Sequence, residues 1–191
     1  MQLILASQSP RRKELLGLFH IPFTVRVADI DEAMDPAKPP FDEVARVSRQ
    51  KALAVERGAD DVVIAADTIV VCEGKVLGKP RDESDAFRIL SLLSGRHHEV
   101  MTGMTVLRDD EIVTHTEVTR IHFRDLHPDE IRAYIASGDP MDKAGSYGIQ
   151  GKAALFASGI EGDYFNVMGL PLHLVGQMLR EFNVDLFSEV E

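Results

Sequence analysis

The sequence predicts an α/β fold: a mixed sheet flanked by helices, in a single fold of two lobes. Three observations carry that expectation. Short apolar runs of strand length alternate with helical patterns through the first half of the chain. A hairpin-like pair of long strands follows in the middle. No Pro/Ser-rich linker divides the 191 residues, so residues 1–191 read as a single domain.

Taken in order, Leu3-Ile4-Leu5-Ala6 is a short strand, and Ser9 to His20 is a helix with Ser9 as N-cap and Pro10 at the first helical position. Phe23 to Val27 is a second strand, and Asp29 to Pro40 is an acidic loop. Phe41 to Arg57 has helical periodicity and ends before Gly58. Val62 to Cys72 is an apolar, β-branched strand followed by the turn Glu73-Gly74-Lys75, hence a hairpin. Ser84 to Leu93 is helical, Val100 to Leu107 and Ile112 to Phe123 are long strands, and Pro128 to Ser137 is a helix stopped by Gly138. Asp139 to Lys152 is a glycine-rich loop, Ala153 to Phe156 a short apolar segment, and Leu170 to Phe182 the last helix.

Composition excludes several classes. Hydrophobic residues at 45% and charged residues at 27% are globular values, so disordered and fibrous chains are excluded. The single cysteine, Cys72, excludes a disulfide scaffold and a Cys-rich zinc site, and fits a reducing cytosol. No apolar run approaches the ~20 residues of a membrane span, and the N-terminus lacks the basic lead of a signal peptide. A net charge of −10 repels nucleic acid. The histidines show no HExxH spacing, and no Gly-x-Ser-x-Gly elbow occurs.

Four places break local rules. The helix after Ser7-Gln8-Ser9-Pro10 opens with Arg11, Arg12 and Lys13, cations that oppose the positive end of the helix dipole. Either they are solvated, or they form an anion site with the free N–H groups and the hydroxyls of Ser7 and Ser9. Lys51 falls in the apolar stripe Phe41, Val44, Val47, Ser48, Val55, where it either snorkels to an edge or meets a buried anion. Asp67-Thr68 interrupts the apolar strand; a carboxylate there needs a metal, a cation or an end-of-strand cleft, unless the strand breaks into an exposed turn. Gly145, Gly148 and Gly151 either shape a structural loop or let the backbone approach a ligand. Ser146 and Ala153 stand where a Walker A loop needs Gly and Ser/Thr. Two weaker signals are the acidic Asp29-Ile30-Asp31-Glu32, suited to Mg²⁺ or Mn²⁺ or merely solvated, and the turn Gly78-Lys79-Pro80-Arg81.

In order along the chain, these residues resemble the Maf family of nucleotide pyrophosphatases. The motifs are Ala6-Ser7-Gln8-Ser9-Pro10-Arg11-Arg12, Asp31-Glu32, Gln50-Lys51-Ala52, Ala66-Asp67-Thr68, Gly78-Lys79-Pro80, Ser94-Gly95, Ala144 to Gly151 and Val167-Met168-Gly169-Leu170-Pro171-Leu172. The resemblance implies an inosine-triphosphatase-like fold, a mixed twisted sheet flanked by helices with two lobes around a central cleft, and a cytoplasmic enzyme. Its implied activity is cleavage of nucleoside triphosphates to the monophosphate and pyrophosphate with a divalent cation. It carries Asp67 over as the proton acceptor and Arg12, Thr68 and Gln150 as substrate-selecting positions. That Arg/Thr/Gln set resembles the dTTP/UTP branch; the 7-methyl-GTP branch shows Trp, Gln and Glu there. Gln50 departs from a Glu common before the lysine.

The chemistry then assigns roles. Ser7, Arg11, Lys51 and Lys79 are candidate phosphate ligands, and Glu32 and Asp67 candidate ligands for Mg²⁺ or Mn²⁺. Gln150 can read a pyrimidine edge. The expected partner is a nucleoside triphosphate, with neither nucleic acid nor membrane, and a homodimer is compatible with the sequence. Alternatives are a pyrophosphatase for 7-methyl-GTP or other modified nucleotides, and a nucleotide-binding regulator of cell division. An acid at Asp67 disfavours a pure binder.

Overall fold

A computed structural model describes residues 1–187; the last four residues of the expected 1–191 domain lie outside it. The fold is mixed α/β. Seven strands hydrogen-bond in the order β2-β1-β3-β5-β6-β7, with β4 paired to β3. These are β1 (Leu3–Ala6), β2 (Thr24–Val25), β3 (Val62–Cys72), β4 (Lys75–Leu77), β5 (His97–Arg108), β6 (Glu111–Phe123) and β7 (Ala157–Glu161). The helices are α1 (Pro10–Gly17), α2 (Pro40–Ala54), α3 (Glu83–Leu93), α4 (Pro128–Ile135), α5 (Tyr164–Met168) and α6 (Leu172–Glu181). β1 pairs in parallel with β2 and β3, whereas β3–β4 and β6–β7 are antiparallel.

The chain forms two compact units. The first comprises Met1–Asp67, Thr102–Glu117 and the segment from Gly169 onward. Its core includes Ile4, Ala6, Ala52, Val55, Val63, Ala65 and Leu107. β3 is buried at ten of its eleven positions, the continuous apolar pattern of a strand covered on both faces. α2 lies so close to β5 that a Cβ on Gly103 would stand 2.3 Å from the Val44 carbonyl oxygen. Backbone cannot yield there as a flexible side chain would. Gly103→Ala is therefore expected to destabilise the fold by several kcal/mol, above the ~1–3 kcal/mol typical of overpacking, read as a lowered urea midpoint.

The second unit comprises Thr68–Met101 and Val118–Met168. Phe123 sits at its centre, ringed edge-on by His98, Tyr147 and Phe156. α3 and α4 pack together there. α4 starts with a capping box, His127 accepting from Asp129 N–H and Glu130 from His127 N–H.

Several elements differ in extent from the sequence expectation. α1 stops at Gly17 rather than His20, because Leu18, Phe19 and His20 close tighter turns onto Leu15, Leu16 and Gly17. β2 covers two residues of the expected Phe23 to Val27. α2 stops at Ala54 rather than Arg57, because Val55 turns extended (φ −79°, ψ 142°) and buries in the core. Gly58 belongs instead to a side-chain-closed turn, its N–H bonded to Asp61 Oδ2 at 2.9 Å. β7 and α5 carry no strong apolar period. β7 is an edge strand whose register comes from β6, with Gly159 opposite His122.

Candidate functional site

The strand β3 passes unbroken through Asp67-Thr68, so the strand-break reading does not hold. Asp67 is 8% exposed, and its Oδ1 accepts from Lys51 Nζ at 2.7 Å. Lys51 does not snorkel. From the last turn of α2 its ammonium also meets Glu32 Oε2 at 3.0 Å. Three sequence-predicted residues thus share one ion cluster. The Lys51–Asp67 arm is 15% and 12% exposed at the side chains, whereas Glu32 is 58% exposed. Solvent screens the Glu32 arm, so the Asp67 arm dominates the coupling.

Glu32 lies in the acidic loop, and two residues that the sequence reading missed tether that loop. Glu43, at the start of α2, accepts the Asp35 N–H at 2.8 Å, and Arg46 donates to Ala33 O at 2.7 Å. Hydrogen bonds from the Arg46 side chain and the Asp35 backbone hold the Glu43 carboxyl down at about 2. Arg46 also donates to Gln50 Oε1 at 2.7 Å. The neutral Gln50 therefore complements an arginine that already has an acidic partner. The available signal was the i, i+3 spacing of Glu43 and Arg46 on a helix beside an acidic loop.

Ser9 caps α1, its Oγ accepting from Arg12 N–H at 3.5 Å, and Ser7 Oγ accepts from Ser9 N–H at 3.2 Å. The first turn carries no acid. The Arg12 side chain folds back onto backbone: Nε donates to Gly169 O at 2.7 Å, and Nη1 donates to Ala66 O at 2.9 Å and Ser7 Oγ at 3.2 Å. Arg12 thus ties the residue before Asp67 to the serine loop. Loss of water lowers its pKa, and the carboxylates of Asp67 and Glu32 oppose that shift. Arg11 is half-buried beside it and carries no hydrogen bond to the ion cluster.

Thr68, Lys79 and Gln150 belong to the second unit. Thr68 is half-buried on β3, and Lys79 and Gln150 are exposed. The turn bearing Lys79 meets the glycine loop, with Gly145 N–H donating to Gly78 O at 3.1 Å. Gly145 has φ +68°, and a Cβ there would stand 2.9 Å from the Val70 methyls, so glycine is required twice over. Beyond it, Tyr134 accepts from Gly148 N–H at 3.1 Å and donates to Asp139 at 2.6 Å. Lys143 completes the brace on Asp139. Burial and the Asp139 carboxylate push the Tyr134 phenol up, so it stays a donor. This brace, missed in the sequence, sets the backbone leading to Gln150.

Below the loop, His98 Nε2 and Tyr147 Oη are 2.7 Å apart and buried. Burial pushes the His98 imidazole down to about 4. The unfolded chain takes up that proton near the ordinary value of about 6.5, and the native state does not. Stability contributed by neutral His98 is thus present above about 6.5 and falls as pH drops toward 4, by up to about 3 kcal/mol. His98→Gln is expected to flatten that slope, measured by urea unfolding between pH 7.5 and 4.5.

Among the described residues, no cluster of three or more His, Cys, Asp or Glu side chains is placed to hold a metal. Glu32 and Asp67 nevertheless converge on one cation, the Lys51 ammonium. A pair of carboxylates completed by waters and phosphate oxygens is a usual Mg²⁺ donor set. The residues fit that group. No helix of the described residues is long and apolar enough to cross a membrane.

The family model for Maf-like proteins matches residues 2–182. The dTTP/UTP pyrophosphatase of Moorella thermoacetica is 51% identical over 193 residues, 99% of each chain. A Bacillus cereus protein of the same name is 48% identical over 186 residues, 97% of each chain. Among solved structures, the Staphylococcus aureus Ham1 protein matches with a TM-score of 0.54 at 14% identity, covering 95% of this chain and 99% of that one. That is a likeness of fold.

Proposed function

The chain belongs to the Maf family, and from that premise we propose that it hydrolyses dTTP and UTP to the nucleoside monophosphate and pyrophosphate. The observation that carries the reading is the 51% identity to a dTTP/UTP pyrophosphatase across 99% of both chains. Residues 1–191 act as one catalytic domain, in the cytoplasm, on a free nucleotide rather than on nucleic acid or at a membrane.

Water attacks the α-phosphorus, the bond from it to the bridging oxygen breaks, and pyrophosphate leaves. Asp67 accepts the proton of the attacking water. Lys51 orients the Asp67 carboxylate through its 2.7 Å contact, and offers positive charge to the phosphates. Ser7, Arg11 and Lys79 add donors for the phosphate oxygens, alongside the acid-free first turn of α1. A divalent cation, Mg²⁺ or Mn²⁺, held by Glu32 and Asp67 would supply charge neutralisation and Lewis acidity. Thr68 and Gln150 select the base, the Gln150 amide pairing with a pyrimidine edge. Arg12 acts with them, anchored by its bonds to Ser7 and the backbone.

The test is a substrate panel of dTTP, UTP, 7-methyl-GTP and inosine triphosphate, read by pyrophosphate and monophosphate release. UTP is expected to yield UMP and pyrophosphate with the highest kcat/KM shared by dTTP and UTP. UDP with orthophosphate would place attack at the terminal phosphorus and refute the mechanism. A preference for 7-methyl-GTP would refute the assigned base. Binding without turnover would favour the regulator.

A further inference from the structure

Two histidines outside the ion cluster stand together on the sheet of the second unit. His97 is on β5 and His122 on β6, and their ring centroids are 4.0 Å apart. His122 Nδ1 is 3.0 Å from both ring nitrogens of His97. We propose that His97 and His122 form a surface binding site for a borderline divalent transition-metal cation: Ni²⁺, Cu²⁺ or Zn²⁺.

The spacing admits a chelate: an Nδ1 equally far from both His97 nitrogens lies off either lone pair, and a small ring rotation aims one of them at a shared cation. Metal–imidazole bonds of about 2.0–2.1 Å place two nitrogens about 2.9 Å apart at a right angle and about 3.3 Å apart at a tetrahedral angle. The observed 3.0 Å falls between them. Both side chains rise from hydrogen-bonded neighbouring strands, so the pleat rather than a mobile loop holds them together. His97 is exposed and His122 half-exposed, which leaves a cation a path in and small ring rotations free. On the β7 side the residue opposite His122 is Gly159, which covers nothing.

The surrounding charge permits a cation. Arg96 pairs with Glu73, Arg120 with Glu99 at 3.7 Å and Glu161 at 3.9 Å, and Arg124 with Glu130 at 2.7 Å. Each nearby arginine therefore faces a carboxylate. Imidazole nitrogens are borderline donors, which select Ni²⁺, Cu²⁺ and Zn²⁺ over Mg²⁺. Waters complete the coordination. The site uses none of the residues assigned to nucleotide hydrolysis and stands independently of that reading.

Calorimetric titration of the tag-free full-length chain with Ni²⁺ at pH 7.5, in excess Mg²⁺ to fill oxygen sites, tests it. One Ni²⁺ per chain is expected. Loss of an outer-shell partner alone weakens metal affinity by about 10–100-fold, so His97→Gln and His122→Ala should each weaken binding at least ~10-fold. His115→Gln, elsewhere on β6, should leave binding unchanged. With Cu²⁺, two nitrogen couplings in the electron spin resonance spectrum are expected, reduced to one in either variant. No uptake, uptake indifferent to both variants, or uptake abolished by Mg²⁺ would each overturn the proposal and leave a plain histidine–histidine hydrogen bond.

Discussion

Asp67→Asn is expected to lower kcat/KM for UTP by about 10²–10⁴-fold, the usual scale for loss of a general base. Asparagine keeps the volume and an oxygen that can accept from Lys51 Nζ, now 2.7 Å from Asp67 Oδ1. It loses the charge and the capacity to take a proton. The buried strand around it, Val62–Cys72, is apolar and needs no carboxylate for its own packing. A near-parental circular dichroism spectrum should therefore accompany the loss of rate, with the melting temperature lowered only by the weakening of the Lys51 contact. Near-parental activity in a folded variant would remove Asp67 from the proton-accepting role.

Lys51→Met is expected to be nearly as severe, lowering kcat/KM by about 10²–10³-fold, the scale for removing one preorganised charge-stabilising donor. Methionine fits the apolar stripe of α2 without the charge. Asp67 and Glu32 then lose the ammonium they share. The Lys51–Asp67 contact is largely withdrawn from water, at 15% and 12% exposure, so it is worth more than an exposed pair. Lys51→Arg keeps the charge with altered geometry and should lose less. Steady-state kinetics on UTP, with urea unfolding to check the fold, separates these outcomes. Full activity in Lys51→Met would leave the ammonium only a structural counter-ion.

The sequence by itself carried the ladder of elements wherever periodicity was strong. β1, β3, the β3–β4 hairpin and the Ser9-capped start of α1 stand as their residues imply, because apolar runs, caps and turns act over a few residues. It also marked Lys51 and Asp67 as misfits: a charge in an apolar stripe or strand is costly without a partner. Their partnership was not legible, since 16 residues separate them and only the placing of α2 beside β3 brings them within 2.7 Å. The same holds for β7, an edge strand whose register is borrowed from β6. It holds too for the Glu43–Arg46 tether, the Tyr134–Asp139 brace and the His97–His122 pair, read singly as ordinary polar residues. Sequence spacing encodes what neighbours along the chain can do. Which distant polar groups share a proton or a cation is decided by where backbones pack, and that depends on the summed contacts of the whole core.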